Sequence, residues 1–407
     1  MPMLRWVVLL SACLSAAIVF VQPCQAQSSP AVKPTTAGAS PVLDLPQASL
    51  AKLSPTEVKR VNEYIRYWAN KLATGDDDSS GATILEARNK LVAAFSLYDS
   101  PDYRYNFVRE SVAIAAPLVK NRIASKSSSG SLRETNLAIW LSALAGSREV
   151  FREEVWIKPA LSEMVKSPED SVRDLGWHGY SRIKLLILAQ GQAAADELIA
   201  LIKDRAAAEK SSVVLGAMME ALNFPLVATG ATKEVLAKAQ ADALETLQSF
   251  WPRCCSLTAG GNEEMSGAMR NGVETLQVLA QTPAGRQNPA TTLQMVVDAM
   301  YCAWLSYDNV AKAEGMLADA NGLLMAQCEA ALGAMTGRPN QYVLSPLTST
   351  RIESSSQRRI DVGSGVFKWV EGLGSMGVTV PKYKSAGDAT AAGGAAKPTS
   401  MSAGPKK

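Results

Sequence analysis

The fold is decided by residues 156–190, which read WIKPALSEMVKSPEDSVRDLGWHGYSRIKLLILAQ. Apolar residues recur at helical spacing on both sides of the short polar stretch 167–170, SPED. A serine followed by proline and acidic residues is typical of a helix start, because the serine caps free backbone N–H groups and proline fits the first helical position. The stretch therefore predicts two helices joined by a tight turn.

The same start signal occurs elsewhere in the chain. Residues 54–57 (SPTE) form a capping box, Ser100-Pro101 opens another helix, and residues 131–134 (SLRE) form a second box. Residues 251–255 (WPRCC) are expected to end a helix and begin a loop. Strand-like alternation is nearly absent, so we predict an all-α chain of about twelve helices. Further apolar helical stretches occupy residues 192–203, 211–223, 232–250, 264–280, 290–305 and 309–335.

The 156–190 hairpin resembles one repeat of the HEAT family. In that family a first helix of the form Pro-x-Leu-x-x-apolar-apolar leads through an Asp-Pro-type turn to a second helix carrying Val-Arg. Here Ser167 stands where the family usually has Asp, and both residue types cap helices. A weaker copy at residues 196–223 lacks the proline and the Val-Arg pair. The matching residues are Pro159, Leu161, Met164, Val165, Pro168, Val172 and Arg173.

The resemblance to HEAT and armadillo repeats implies a fold and a use. Such hairpins stack into an α-α superhelix, an open solenoid whose long surface binds a partner. About twelve helices joined by short turns can also close into an α/α toroid, which stays open as the alternative fold.

The N-terminus predicts export. Residues 1–26 have Arg5 before an apolar run and small residues before an expected cleavage point at Gln27, the pattern of a secretory signal peptide. An uncleaved anchor and lipidation at Cys13 are the alternatives. We expect a periplasmic or secreted protein without a membrane span after signal cleavage. The expected domains are a flexible leader at 27–52, a helical-repeat domain at 53–380 and a disordered basic tail at 381–407.

The cysteines of the chain are candidates for disulfide bonds. After signal removal four cysteines remain, and in an oxidising compartment they allow two disulfides with three pairings. Adjacent cysteines are hard to join to each other, so we expect each of Cys254 and Cys255 to reach Cys302 or Cys328; four buried free thiols are the alternative.

The net charge of +3 leaves no excess of basic residues for binding phosphates, so we expect no nucleic-acid partner.

Catalytic motifs are missing from the sequence. It has no Gly-x-x-x-x-Gly-Lys-Ser/Thr, no His-Glu-x-x-His and no Gly-x-Ser-x-Gly, so we predict no cofactor, no metal site and no catalytic residues. His178 is the only histidine. With Trp177 and Tyr180 it is our candidate for a binding site, since aromatic rings can stack on a ring-shaped ligand; packing of these residues into the helix core is the alternative.

Three acidic clusters complete the candidates. Asp76 to Asp78, between Gly75 and Gly81, cluster three carboxylates, but they lack the alternating spacing of a calcium loop and favour a solvated turn. Glu153-Glu154 and Glu263-Glu264 could serve as the paired acids of a glycosidase only if neighbours shared one face. Neighbours on a helix point about 100° apart, so these pairs indicate solvated faces.

The sequence therefore leads to two functional hypotheses. The first is an exported, non-catalytic helical-repeat protein that binds another protein or an envelope component as a scaffold in the cell envelope. The alternative is an α/α-toroid polysaccharide hydrolase or lyase, whose site would need several aromatic residues together with paired acids.

Overall fold

A computed structural model describes most of the chain from residue 40 onward. Contacts divide the chain into two units, Met1–Ser40 and Pro41–Lys407, and the described helices belong to the second. The predicted signal peptide and Cys13 lie outside the described residues, as do most of the leader and the tail beyond residue 384. The described ranges are 40–45, 52–74, 81–125, 131–147, 157–307, 319–349, 351 and 354–384.

The described part of the chain is all-helical, which confirms the prediction of an all-α chain. It contains fifteen α-helices and no strand, and twelve of the fifteen have ten or more residues. The helices are α1 (Pro55–Thr74), α2 (Ala82–Phe95), α3 (Pro101–Ser125), α4 (Ser131–Ala145), α5 (Lys158–Met164), α6 (Asp170–Ala189), α7 (Gln192–Ala208), α8 (Ser212–Ala221), α9 (Lys233–Ala259), α10 (Glu263–Leu279), α11 (Pro283–Gln287), α12 (Pro289–Leu305), α13 (Ala320–Thr336), α14 (Leu344–Thr348) and α15 (Ser355–Leu373).

The long helices pack in two rows. In the first row α2, α4, α6, α8, α10 and α13 follow one another, each in contact with the next. In the second row α1 contacts α3, α3 contacts α5, α7 contacts α9, α9 contacts α12 and α12 contacts α15. The rows are joined by hairpins, since α1 packs on α2, α3 on α4, α5 on α6, α9 on α10 and α12 on α13. Each hairpin therefore packs against its neighbours along the chain.

The core follows the helices through both rows. Five of the largest fully buried side chains are tryptophans on α1, α4, α6, α9 and α15, so bulky rings fill the space between rows along the stack. These residues are Trp68, Trp140, Trp177, Trp251 and Trp369.

Helix starts are mostly as predicted. The backbone N–H of Ser54 donates to the Glu57 carboxylate at 2.7 Å, which completes the predicted capping box of α1. The exception is the 167–170 turn, where α6 begins at Asp170 and its N-cap is Glu169 rather than Ser167. The Glu169 carbonyl accepts the first helical bonds, from Val172 and Arg173, so the serine lies too early in the chain to cap the helix.

The helix end expected at residues 251–255 is wrong, because α9 continues through Pro252 to Ala259. Pro252 lacks the backbone N–H that would donate to the carbonyl of Gln248 one turn earlier, but Gln248 is exposed. The Trp251 indole donates to the Met295 carbonyl at 2.9 Å, and Cys254 and Cys255 are buried. Packing against α12 thus outweighs the cost of the proline.

Segments at both ends of the described unit pack on the helices. In the predicted leader, Leu43 and Leu45 are buried, and the Leu45 N–H donates to the Tyr98 hydroxyl at 2.8 Å. At the other end residues 377–384 cross α12. There the Thr379 N–H donates to Gln294 Oε1 at 2.7 Å, and Gln294 Nε2 donates back to the Thr379 carbonyl at 3.1 Å. We call residues 377–384 the C-terminal strap.

Helices α5 and α6 approach closely because α6 carries two glycines on the face toward α5. A Cβ at Gly176 would lie 2.9 Å from Val165 Cγ1 and 3.1 Å from the Val165 backbone nitrogen. A Cβ at Gly179 would collide with the Leu161 side chain. Side chains larger than hydrogen are therefore excluded from this contact, which sets the spacing within the hairpin.

We expect Gly176→Ala to destabilise the protein although alanine is the better helix former. The added methyl meets backbone atoms that cannot move aside cheaply, and overpacking of this kind costs about 1 to 3 kcal/mol. The matched control is Gly267→Ala on α10, where a Cβ meets nothing within 4 Å and the free energy of unfolding should rise by about 0.5 to 1 kcal/mol. Urea unfolding of both variants tests this, and equal shifts would contradict it.

Candidate functional site

The three candidate binding residues on α6 divide between core and surface. Trp177 and Tyr180 are 0% and 1% exposed, and their ring centroids lie 5.6 Å apart. They are three residues apart and so share a helix face, whereas His178 lies on another. Trp177 and Tyr180 therefore pack inward, as in our alternative, and of the three residues only His178 reaches the surface.

His178 joins α6 to α8. Its Nδ1 lies 2.9 Å from Glu220 Oε2, and its Nε2 lies 3.5 Å from Asp174 Oδ1 one turn earlier on α6. The other Glu220 oxygen accepts a hydrogen bond from the Ser181 hydroxyl at 3.0 Å. Lys184 Nζ donates to the Glu220 backbone carbonyl at 2.8 Å. Nothing in the sequence connects Glu220 with His178; only the packing of α8 against α6 brings them together.

These contacts shift the proton affinity of each group. The hydrogen bond with Glu220 raises the pKa of His178 above its ordinary value, against the opposite effect of burial. Burial favours neutral Glu220, but hydrogen bonds from His178 and Ser181 outweigh it and its pKa falls. Burial raises the pKa of Asp174 and lowers that of Lys184 to about 8. Protonated His178 is thus held as the cation of a charge-assisted pair.

An open groove of about 280 Å³ lies over α8 beside this pair. Its floor is formed by Val213, Gly216 and Ala217, with Val213 50% exposed. A Cβ at Gly216 would lie 3.0 Å from Cβ of Ala268, so α8 packs closely against α10. The floor of the groove is therefore shallow. We call this the α8 groove, and its walls are Asp174 and His178 from α6 and Glu264, Gly267, Ala268 and Asn271 from α10.

The rim of the α8 groove is acidic. Glu264 is exposed in the first turn of α10, and Asp174 faces it from α6. Asn271 closes the far side and donates from Nδ2 to the Gly216 carbonyl at 3.3 Å. The two carboxylates beside the apolar floor can attract a cationic side chain with an apolar neighbour, because Glu220 already balances the charge of His178.

Of the remaining acidic candidates, only Glu263 and Glu264 belong to the part of the chain that the structure describes. Residues 75–80, with the Asp76 to Asp78 cluster, and Glu153-Glu154 lie outside the described residues. Glu263 and Glu264 are both exposed on α10, and of the two only Glu264 borders the groove. Within the described ranges no group of three or more His, Cys, Asp or Glu side chains is arranged to hold a metal ion.

The four cysteines of the helical unit are buried free thiols in the structure. They lie on α9, α12 and α13, and none of them lines the α8 groove. The residues concerned are Cys254, Cys255, Cys302 and Cys328.

Comparison with known proteins adds no assignment: no family model matches the chain, and no curated protein matches it. Among the described helices, none combines the length and the apolar character needed to cross a bilayer.

Titration of the single histidine tests the site directly. We expect the imidazole of His178 to titrate above pH 6.5 and Glu220→Gln to lower its midpoint, because the largest contribution to the shift is the hydrogen bond with Glu220. Since the pKa rises on folding, the stabilisation from this pair is fully present below pH 6.5 and is lost as the pH rises through the folded value. NMR of protein labelled with ¹³C-histidine gives one resonance to follow.

The control for this titration is Glu264→Gln, which removes a carboxylate from the same groove without touching a hydrogen bond of His178. In this variant the titration midpoint of His178 should stay near that of the wild type. Equal midpoints in Glu220→Gln and the wild type would show that the pair does not form.

Proposed function

We propose that this chain is an exported, non-catalytic helical-repeat protein that binds another protein of the cell envelope through the α8 groove. The single observation that carries the proposal is the groove itself, an open cleft with an apolar floor and carboxylates on two facing helices. The partner that fits best is a protein segment with a lysine or arginine beside an apolar residue, since like charges are disfavoured at this rim.

The repeat architecture supports this proposal. The two rows of helices and the hairpins that join them are what an α-α superhelix of the HEAT or armadillo kind requires. Arg173, the arginine of the Val-Arg pair, forms a bidentate pair with Glu209 in the turn before α8, at 2.8 and 2.9 Å. The same arginine donates to the carbonyls of Ser167 and Pro168 in its own turn. One side chain thus links two successive turns.

The first row of helices supplies the surface. Polar contacts connect its members one after another, so the row is fixed in register along its length. Arg88 of α2 donates to Asn136 of α4, Thr135 of α4 pairs with Ser171 of α6, and Arg270 of α10 donates to Gln327 of α13. A row held in this way is a preorganised face for a partner, which lowers the entropic cost of binding.

The polysaccharide hydrolase or lyase receives less support from the residues that would have carried it. Trp177 and Tyr180 are buried and cannot stack on a sugar ring.

Site-specific photocrosslinking in intact cells tests the proposal. With p-benzoyl-phenylalanine at position 213, on the groove floor, we expect a crosslinked product of fixed mass. The matched position is 227, where Val227 is 83% exposed in the loop after α8, and there the product should be absent. Glu264→Lys should reduce the yield at position 213 at least fivefold, because it reverses the charge of the rim.

The control for the charge reversal is Glu234→Lys, which makes the same change in the first turn of α9, outside the groove. The yield of crosslinked product from position 213 should be the same in this variant as in the wild type. Equal crosslinking from positions 213 and 227, or a yield indifferent to Glu264→Lys, would refute the α8 groove as the binding surface.

Small-angle X-ray scattering distinguishes an open solenoid from a closed toroid. A compact domain spanning residues 41–384 has a radius of gyration of about 20 Å. We expect a clearly larger value and an asymmetric distance distribution, because stacked hairpins extend in one direction. A value near 20 Å would favour the closed toroid.

A further inference from the structure

A second open groove lies at the turns that precede α6 and α8. It has a volume of about 440 Å³ and is bounded by residues 165–167, the first turn of α6, the last turn of α7 and residues 209–211. We call it the turn groove. Its lining carries four cations and two carboxylates, the reverse of the acidic rim of the α8 groove. These charged residues are Lys166, Asp170, Arg173, Arg205, Glu209 and Lys210.

Both carboxylates of the turn groove are bound by Arg173. Its Nε donates to Glu209 Oε2 at 2.8 Å, and its Nη2 donates to Asp170 Oδ1 at 2.7 Å and to Glu209 Oε1 at 2.9 Å. Glu209 Oε1 also accepts the backbone N–H groups of Lys210 and Ser211. The two carboxylates are therefore engaged by one cation and by backbone donors, and the other three cations are left to face the groove.

The three remaining cations have weak partners or none within the described ranges. The Lys210 side chain is exposed and makes no ion pair there. Arg205 Nε has no hydrogen-bond partner in the same ranges, and Asp204 Oδ2 lies 3.8 Å from it, beyond hydrogen-bonding distance. Lys166 has an exposed pair with Glu163 at 3.4 Å, and pairs of this kind contribute little. The turn groove therefore presents cationic donors that an anionic ligand can use.

The turn groove adjoins the α8 groove along α6. Asp170 lines the first groove and Asp174 lines the second. Residues four apart share one face of a helix and lie about 6 Å apart along its axis. Beside α8, Ser211 borders the turn groove, and Val213, two residues later, belongs to the floor of the α8 groove. A basic surface therefore continues directly into an acidic one.

We propose that the turn groove binds an acidic side chain of the same partner segment whose cation binds in the α8 groove. This inference rests on the proposed function and specifies the partner as a segment with an aspartate or glutamate two to five residues from a lysine or arginine. An extended chain advances about 3.3 Å per residue, so this spacing covers about 7 to 17 Å, enough to reach from one groove into the other. Arg205 and Lys210 donate to the acidic side chain.

The charge pattern favours a protein segment over a phosphate-rich surface. Three available cations are few for a polyanion, and Asp174 and Glu264 in the adjoining groove repel further negative charge. A segment with one acidic and one basic side chain meets an opposite charge in each groove, whereas the reversed segment meets like charges in both. The pattern thus also determines which end of the segment lies over the turns.

Crosslinking from the turn groove, followed by sequencing of the product, tests the inference. In intact cells p-benzoyl-phenylalanine is placed at position 208, where Ala208 is exposed at the end of α7 and lines the groove. The matched position is 200, an exposed alanine on the same helix that lines neither groove. We expect position 208 to capture the same partner as position 213, and position 200 to capture none. Mass spectrometry of the digested product should place an aspartate or glutamate within five residues of the crosslinked residue.

Charge reversal in the turn groove tests the same contact independently. Lys210→Glu should reduce the yield of crosslinked product from position 208 at least fivefold, because it places a carboxylate opposite the acidic side chain. The matched control is Lys233→Glu, which makes the same change at an exposed residue in the first turn of α9 and should leave that yield unchanged. Arg205→Gln repeats the test at a second cation if Lys210→Glu does not fold, and it should reduce the yield at least twofold.

The outcomes separate this inference from the proposed function. An absence of product from position 213 would refute the proposed function and this inference with it. A product from position 213 without one from position 208, or a captured peptide without an acidic residue in the stated window, would overturn the inference alone. Capture of a lipid or a nucleic acid from position 208, or a yield indifferent to both charge variants, would do the same.

Discussion

The bidentate contact between Arg173 and Glu209 is the constraint on which the rest of the helical unit depends. Glu209 is almost fully buried, and besides Arg173 it accepts the backbone N–H groups of Lys210 and Ser211. Burial opposes its charge, yet hydrogen bonds from Arg173 and from the backbone lower its pKa, so the carboxylate stays ionised. Removing either partner would leave a buried charge or a set of unpaired donors. The pair therefore fixes the turn before α6 relative to the turn before α8.

The α8 groove follows from that fixed register. Helix α8 is ten residues long and lies between α6 and α10, so Glu220 meets His178 on one side and Gly216 meets Ala268 on the other. On the second row, exposed ion pairs such as Lys158 with Glu197 and Lys203 with Glu245 join neighbouring helices. Exposed pairs contribute little stability, whereas the buried polar links hold the order of the hairpins.

The sequence predicts the fold class and the main hairpin for simple reasons. Apolar residues recur at helical spacing and capping residues mark the starts, and both are local properties of the chain. The continuation of α9 through Pro252 is not local, since it depends on Trp251 reaching the Met295 carbonyl of a helix that is distant in sequence. The candidate site likewise depends on contacts between residues that are distant in sequence. His178 could be singled out because it is the only histidine, but Glu220 could not, and nothing local showed that Trp177 and Tyr180 face inward.

The tight packing under the α8 groove limits how its selectivity can change. The floor position Gly216 is held small by the closeness of Ala268 on α10, so a substitution there disturbs the packing of α8 against α10. The rim position Glu264 is exposed and carries no such constraint. Homologous proteins with different partners should therefore differ at the rim and share the floor, so that recognition diverges without altering the scaffold beneath it.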